Sequence, residues 1–157
     1  MFPPEEYLSL DELVKMSEAE NFDFYSLSDE GKLVGFMVVQ TFKNLCYLFF
    51  LAIDSSCRVK GYGSLAIKTL KSLYPEKTQV VDFEMIVEFS SNNEQRKKRK
   101  SFYLKNGYKE TGLFLLYLGV NYELMCNSDS KFDEDEFKQM LELLKIDGFK
   151  QRYFIGR

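Results

Sequence analysis

The sequence predicts a mixed α+β fold, a sheet flanked by helices. Three observations predict it. Apolar residues alternate with period two in pairs of segments joined by turn residues, as hairpins do. Segments of helical spacing lie between and after these pairs. Finally, Leu48 to Ile53 is an unbroken apolar run of strand length, expected to be buried on both faces, and it leads through a glycine-bearing loop into a helix.

Taken in order, Ser9-Leu10-Asp11-Glu12 has capping-box spacing, and Leu10, Leu13 and Val14 give the following segment an apolar face, predicting a short helix to about Ala19. Phe22 to Leu27 alternates as a strand, Ser28-Asp29-Glu30-Gly31 supplies a turn, and Lys32 to Gln40 returns antiparallel. Lys43-Asn44 turns the chain into the strand Tyr47 to Ile53. After the loop, Ala66, Leu70 and Leu73 recur at helical spacing, and the helix ends near Tyr74-Pro75, because Pro75 disfavours helical geometry at its predecessor.

Val80 to Phe89 reads as the next strand, with Val81, Phe83, Met85, Val87 and Phe89 pointing one way and Asp82, Glu84, Ile86 and Glu88 the other. One face is then core and the other largely acidic. Asn92-Asn93 caps a helix to Lys105, which Asn106-Gly107 stops. Tyr108 to Leu118 and Tyr122 to Cys126 form a closing hairpin through Gly119-Val120-Asn121. Asp133-x-x-Glu136 caps a last helix with Phe137, Met140, Leu141 and Leu144 on one stripe, and Phe132 and Phe137 stand where a hydrophobic staple would. Phe149, Tyr153, Phe154 and Ile155 suggest a tail that docks on the domain or on a partner. The whole, residues 1–157, is expected to be one domain with a core of about 22–126 and a helical C-terminal appendage of about 132–157.

Composition narrows the function. A chain of 157 residues with 45% hydrophobic and 29% charged residues is globular, and 15 Phe with 10 Tyr against no Trp predicts aromatic core packing. The net charge of −3 argues against a general nucleic-acid binder. Cys46, Cys57 and Cys126 lack metal-ligand or redox spacing, and with no His there is neither a zinc site nor a conventional triad, so no metal is expected. No leader pattern opens the chain and no apolar run reaches the roughly 18 residues of a membrane span, so the expectation is a cytoplasmic protein without membrane contact.

The chemistry concentrates between Leu48 and Leu73. A glycine-rich loop running into a helix start offers unpaired backbone N–H groups and the positive end of the helix dipole to an anion, with Arg58 and Lys60 just ahead of Gly61 and Gly63. The eight-residue ATP loop is absent. A dinucleotide fingerprint is formally met by Gly61, Gly63 and Ala66, with Asp82 about 20 residues on, but residues 54 to 60 intervene where that fingerprint wants a tight turn off the strand. The third pattern, Arg/Gln-x-x-Gly-x-Gly/Ala, is filled by Arg58, Gly61 and Gly63 and followed by Ser64.

On the run Leu51-Ala52-Ile53-Asp54-Ser55-Ser56-Cys57-Arg58-Val59-Lys60-Gly61-Tyr62-Gly63-Ser64, the chain resembles the GNAT family of N-acetyltransferases, with Ser55 for a common Pro and Val59 for a frequent Gly. A second anchor is Phe102-Tyr103-Leu104-Lys105-Asn106-Gly107-Tyr108, and the resemblance extends from about Phe22 to Cys126, including the hairpin DEGKLVGF. It implies a central, mostly antiparallel sheet with splayed strands. Its implied donor is acetyl-CoA, whose acetyl group passes to a primary amine of a small molecule or peptide by direct attack in a ternary complex. Cofactor contacts fall on the backbone of Ala52 and Ile53 for the pantetheine arm and on Arg58, Val59, Lys60, Gly61, Tyr62, Gly63 and Ser64 for the pyrophosphate.

Tyr103 matches the family tyrosine that protonates the leaving thiolate, and the amine must lose a proton before it attacks. Glu84 and Glu88 are the candidate bases, with Asp82 behind them. Arg96 and Arg99 stand where many members carry Asn and a small residue, so the run Arg96 to Lys100 reads either as a solvated face or as a contact for CoA phosphates. The first family strand is not evident ahead of Phe22: either the start is placed late, or the strand is absent, which would expose a sheet edge and favour a homodimer. The alternatives are a non-catalytic CoA-binding or sensor module on the same fold, and a dinucleotide-binding protein.

Overall fold

In a computed structural model, residues 14, 18, 21–85, 93–117, 119–128, 132–143 and 152–156 are described. The expected helix over Ser9 to Ala19 lies outside them, apart from Val14 and Glu18. The chain divides into two compact units, Met1–Lys77 and Thr78–Arg157.

The first unit carries three antiparallel strands, β1 (Phe22–Asp29), β2 (Lys32–Phe42) and β3 (Leu45–Ile53). Each strand extends beyond its expected limits because ladder pairing continues up to the turns: Asp29 pairs with Lys32, and Phe42 with Leu45. β3 departs from expectation in burial. Leu45 to Phe49 are buried, whereas Phe50 to Ile53 are only half-buried, so the strand's C-terminal end is not the closed core that its apolar run predicts.

A short 3₁₀ helix (Ser55–Lys60) and helix α1 (Tyr62–Leu73) follow. α1 buries Ala66 and Leu70 of the expected stripe together with Ile67, whereas Leu73, at the helix end, is exposed. Its end is tied to β1 by phenols, since Tyr74 donates a hydrogen bond to Asp23 and shares a 2.6 Å bond with the hydroxyl of Tyr25.

The second unit holds β4 (Thr78–Glu84), β5 (Lys109–Tyr117), β6 (Val120–Cys126) and β7 (Arg152–Gly156) in the order β4-β6-β5-β7, every neighbour antiparallel. Helix α2 (Asn93–Lys105) precedes β5, and helix α3 (Glu134–Glu142) follows β6. The expected helical appendage is therefore helix and strand: β7 pairs with β5, setting Phe154 opposite Leu115 and Tyr153 opposite Leu116.

The cap of α3 is as its sequence spells it. Asp133 accepts hydrogen bonds from the N–H groups of Asp135 and Glu136, and the rings of Phe132 and Phe137 lie 5.5 Å apart. Phe137, Met140 and Leu141 are buried, and Leu144 falls outside the described residues. β4 is shorter than expected, ending at Glu84, and residues 86–92 are not among those described.

Gly35 marks a close backbone approach in the first unit. It pairs with Ile53, and a Cβ added there would lie 2.2 Å from the carbonyl oxygen of Ala52, a backbone atom that cannot swing aside. Gly35→Ala is expected to lose at least about 2 kcal/mol of stability in urea unfolding, since overpacking against backbone cannot be relieved by a rotamer change.

Candidate active site

The end of β3 determines where the next turn begins. The N–H of Asp54 bonds the carbonyl of Val34 at 2.8 Å, and the Asp54 carboxylate accepts from the N–H and the hydroxyl of Ser56 at 2.9 and 2.6 Å. Those two bonds to Ser56 hold the exposed Asp54 carboxyl below the usual carboxylate range. Residues 55 to 60 thus wind into a 3₁₀ helix rather than the open loop expected, and only the backbone of Arg58, Val59 and Lys60 is described.

Gly61 then takes a left-handed conformation, with φ 76°, ending the 3₁₀ helix and starting α1. This start is earlier than spacing alone predicts, and it places Tyr62, Gly63 and Ser64 in the first turn. The first bond of the helical ladder runs from the Leu65 N–H to the Gly61 carbonyl, so the N–H groups of those three residues precede it. No side chain caps the helix, and no acidic residue occupies its first turn. An anion is the ligand that such an end suits. The pyrophosphate of CoA fits this donor set, with the half-buried backbone of Ala52 and Ile53 immediately upstream.

Tyr62 adds a contact that sequence reading missed. Its hydroxyl donates to Asp29, the last residue of β1, at 2.5 Å, which raises the phenol above its ordinary pKa. Nothing in the local sequence signals this pairing, because 33 residues separate the partners. Cys57, in the 3₁₀ helix, is buried.

The catalytic candidates fall in the second unit. Tyr103 lies on α2, half-buried, its ring stacked on Phe83 at 5.9 Å and meeting Phe102 and Tyr108 edge-on at 5.2 and 5.5 Å. Glu84 corrects the expected acidic outward face. Its side chain is fully buried and ion-paired with Arg96, which also donates to the Met85 carbonyl at 2.9 Å. A carboxylate so placed needs a cation, because an unpaired buried charge is costly. Asp82 is half-buried, and Glu88 is outside the described residues.

The basic run divides. Lys97 and Lys98 are exposed, while Arg96 and Lys100 turn inward, Lys100 meeting Glu110 at 2.7 Å and Glu123 at 3.2 Å. Burial disfavours the charge on Lys100, but the bonds to both carboxylates outweigh it and hold the amine above its ordinary pKa. A solvated face therefore does not describe Arg96 and Lys100. Among the described residues no group of His, Cys, Asp and Glu could hold a metal ion, and no helix is long and apolar enough to cross a membrane.

Residues 20–110 match the family model of the acetyltransferase (GNAT) domain, more than half of the chain. Among solved structures, a Bacteroides thetaiotaomicron protein assigned to the GNAT acetyltransferases superposes with a TM-score of 0.72 at 25% identity, over 93% of this chain and 84% of the other. An aminoglycoside 6'-N-acetyltransferase complexed with coenzyme A shares the fold at a TM-score of 0.61 and 19% identity, covering 83% of this chain and 86% of its own. So does a GNAT acetyltransferase from Elizabethkingia anophelis with acetyl-CoA bound, at 0.57 and 13% identity, covering 80% and 90%. No curated protein sequence matches. The chain belongs to the GNAT family of acetyltransferases, and its class is that of acyl-transferring enzymes.

Burial also predicts how the thiols behave. Desolvation pushes Cys46 up to about 12, and Cys57 and Cys126 are 2% and 4% exposed. Native protein at pH 8 is expected to resist a thiol reagent at all three positions and to take up three equivalents once unfolded, as mass spectrometry would read. Rapid native labelling of Cys57 would show a nucleophile accessible enough for an acyl-enzyme route.

Proposed function

We propose that this protein transfers the acetyl group of acetyl-CoA to a primary amine of a small molecule or peptide, by direct attack in a ternary complex. The observation that carries the reading is the start of α1, a left-handed glycine followed by the first-turn amides of Tyr62, Gly63 and Ser64, with no acidic residue within that turn. In this reading the backbone from Arg58 to Ser64 holds the pyrophosphate, and the half-buried end of β3, Ala52 and Ile53, lies along the pantetheine arm. Acetyl-CoA, when bound, supplies a thioester whose acyl carbon accepts the amine.

The rest falls to the chain's own groups. A backbone N–H near Ile53 polarises the acyl oxygen. The Tyr103 hydroxyl gives its proton to the departing thiolate, and a phenol suits the task because it is protonated at neutral pH. Aromatic neighbours around the Tyr103 ring restrict where that hydroxyl points. Glu84 is engaged by Arg96, so Glu88 is the proposed acceptor of the amine's proton. Buried thiols support a route without a cysteine acyl intermediate.

A thermal-shift titration with acetyl-CoA, CoA, NAD and ATP tests the cofactor. Both CoA species at 100 times Kd are expected to raise Tm by about 5–10 °C, with NAD and ATP inert. No shift with either CoA species at millimolar concentration would overturn the reading, and a shift with NAD alone would turn it to a dinucleotide. For the chemistry, Tyr103→Phe is expected to lower kcat by about 10²-fold while acetyl-CoA affinity is kept. An unchanged kcat would remove Tyr103 from the acid's role.

A further inference from the structure

Helix α2 is unusual in what holds it. None of its residues is buried, although it runs against β4 and β6. The stripe facing the sheet is Arg96, Lys100 and Tyr103, spaced i, i+4, i+7, where an amphipathic helix would carry apolar side chains. The sheet answers in kind. Its buried charged residues are Glu84 and Glu123, which pair with Arg96 and Lys100 respectively, while Phe83, preceding Glu84 on β4 and opposite Glu123 in the ladder, stacks on Tyr103. Polar contacts therefore replace much of the usual apolar seam.

Arg96 is the best buried of the helix's ion-pair partners, its side chain 12% exposed against Glu84 at 0%. Its second bond, to the Met85 carbonyl, makes the contact two-pronged, so the guanidinium fixes both the position and the rotation of the helix start. Tyr103 lies two turns further on the same stripe. A rotation of the helix about its axis would carry the Tyr103 ring off Phe83.

We propose that Arg96 and Glu84 are positioning residues, whose buried ion pair sets the helix that carries Tyr103, and that Glu84 takes no proton from the acceptor amine. The proposal rests on the reading of Tyr103 as proton donor. Removing either partner leaves a buried charge alone, which is far more damaging than replacing both by apolar residues of similar volume. A base behaves otherwise, since chemistry lost with Glu84 does not return when Arg96 is also changed.

The test compares native protein with Glu84→Leu, Arg96→Met and the double variant, through three readouts. These are Tm, the ring resonances of Tyr103 in 13C-tyrosine-labelled protein (assigned with Tyr103→Phe), and the rate of CoA thiol release from acetyl-CoA with a panel of spermidine, kanamycin and an N-terminal alanine peptide. Each single variant is expected to lose about 10 °C in Tm and to shift the Tyr103 resonance. The double variant is expected to regain the native Tm within a few degrees and the native Tyr103 resonance, with thiol release within about threefold of native. Should the single variants fail to fold, the double variant compared with native still decides.

Two results would overturn the proposal. One is a double variant with native Tm and Tyr103 resonance but thiol release down about 10²-fold, which would return Glu84 to the chemistry. The other is single variants that fold with the Tyr103 resonance unmoved, which would deny the pair any hold on that ring. Failure of the proton-donor reading would show separately, as native-level thiol release in Tyr103→Phe, and would leave the resonance comparison intact.

Discussion

The close antiparallel seam between β2 and β3 is the contact on which the glycine turn and the start of α1 depend. Gly35 lets the β2 backbone reach the carbonyl of Ala52, and the next bond, from Asp54 to Val34, fixes where the strand stops. Everything after is a consequence of that stop. Asp54 organises Ser56, the 3₁₀ helix follows, Gly61 reverses the backbone, and α1 begins with its amides ahead of the ladder. The position of that helix start is fixed by a strand ending and by the Asp54 cap of the 3₁₀ helix.

The second unit solves a different problem. α2 is rich in basic residues and poor in apolar ones, so hydrophobic burial cannot seat it firmly. Carboxylates buried on β4 and β6 take over, at the cost of desolvating charges that must then stay paired. Such a seam gives less attraction than an apolar one but tighter orientation, because hydrogen-bonded ion pairs have preferred directions and dispersion contacts do not. An aromatic cluster of Phe83, Phe102, Tyr103 and Tyr108 completes it.

Much of the fold was legible beforehand because it is locally encoded. Turn residues placed the hairpins, period-two alternation placed most strands, and Asp133 with Phe132 and Phe137 marked the α3 start down to its cap and staple. The glycines marked the turn into α1 for the same reason, since a left-handed residue at a helix start needs only its neighbours. The β7 strand was not legible, because five residues without clear alternation become a strand only when β5 offers them an edge.

What the sequence by itself determined, then, is most of the elements, the glycine turn and the tyrosine on its helix. Tertiary structure alone decided the fate of the charges. Alternation put Glu84 on an outward face, and the run from Arg96 to Lys100 read as one solvated or phosphate-seeking block; in the fold Glu84 is sealed against Arg96, and Lys100 is drawn to Glu110 and Glu123. The Tyr62–Asp29 bond belongs to the same category. The physical reason is common to all three: a charged or polar side chain has no fixed preference for inside or outside, and only the partner that folding brings to it settles which.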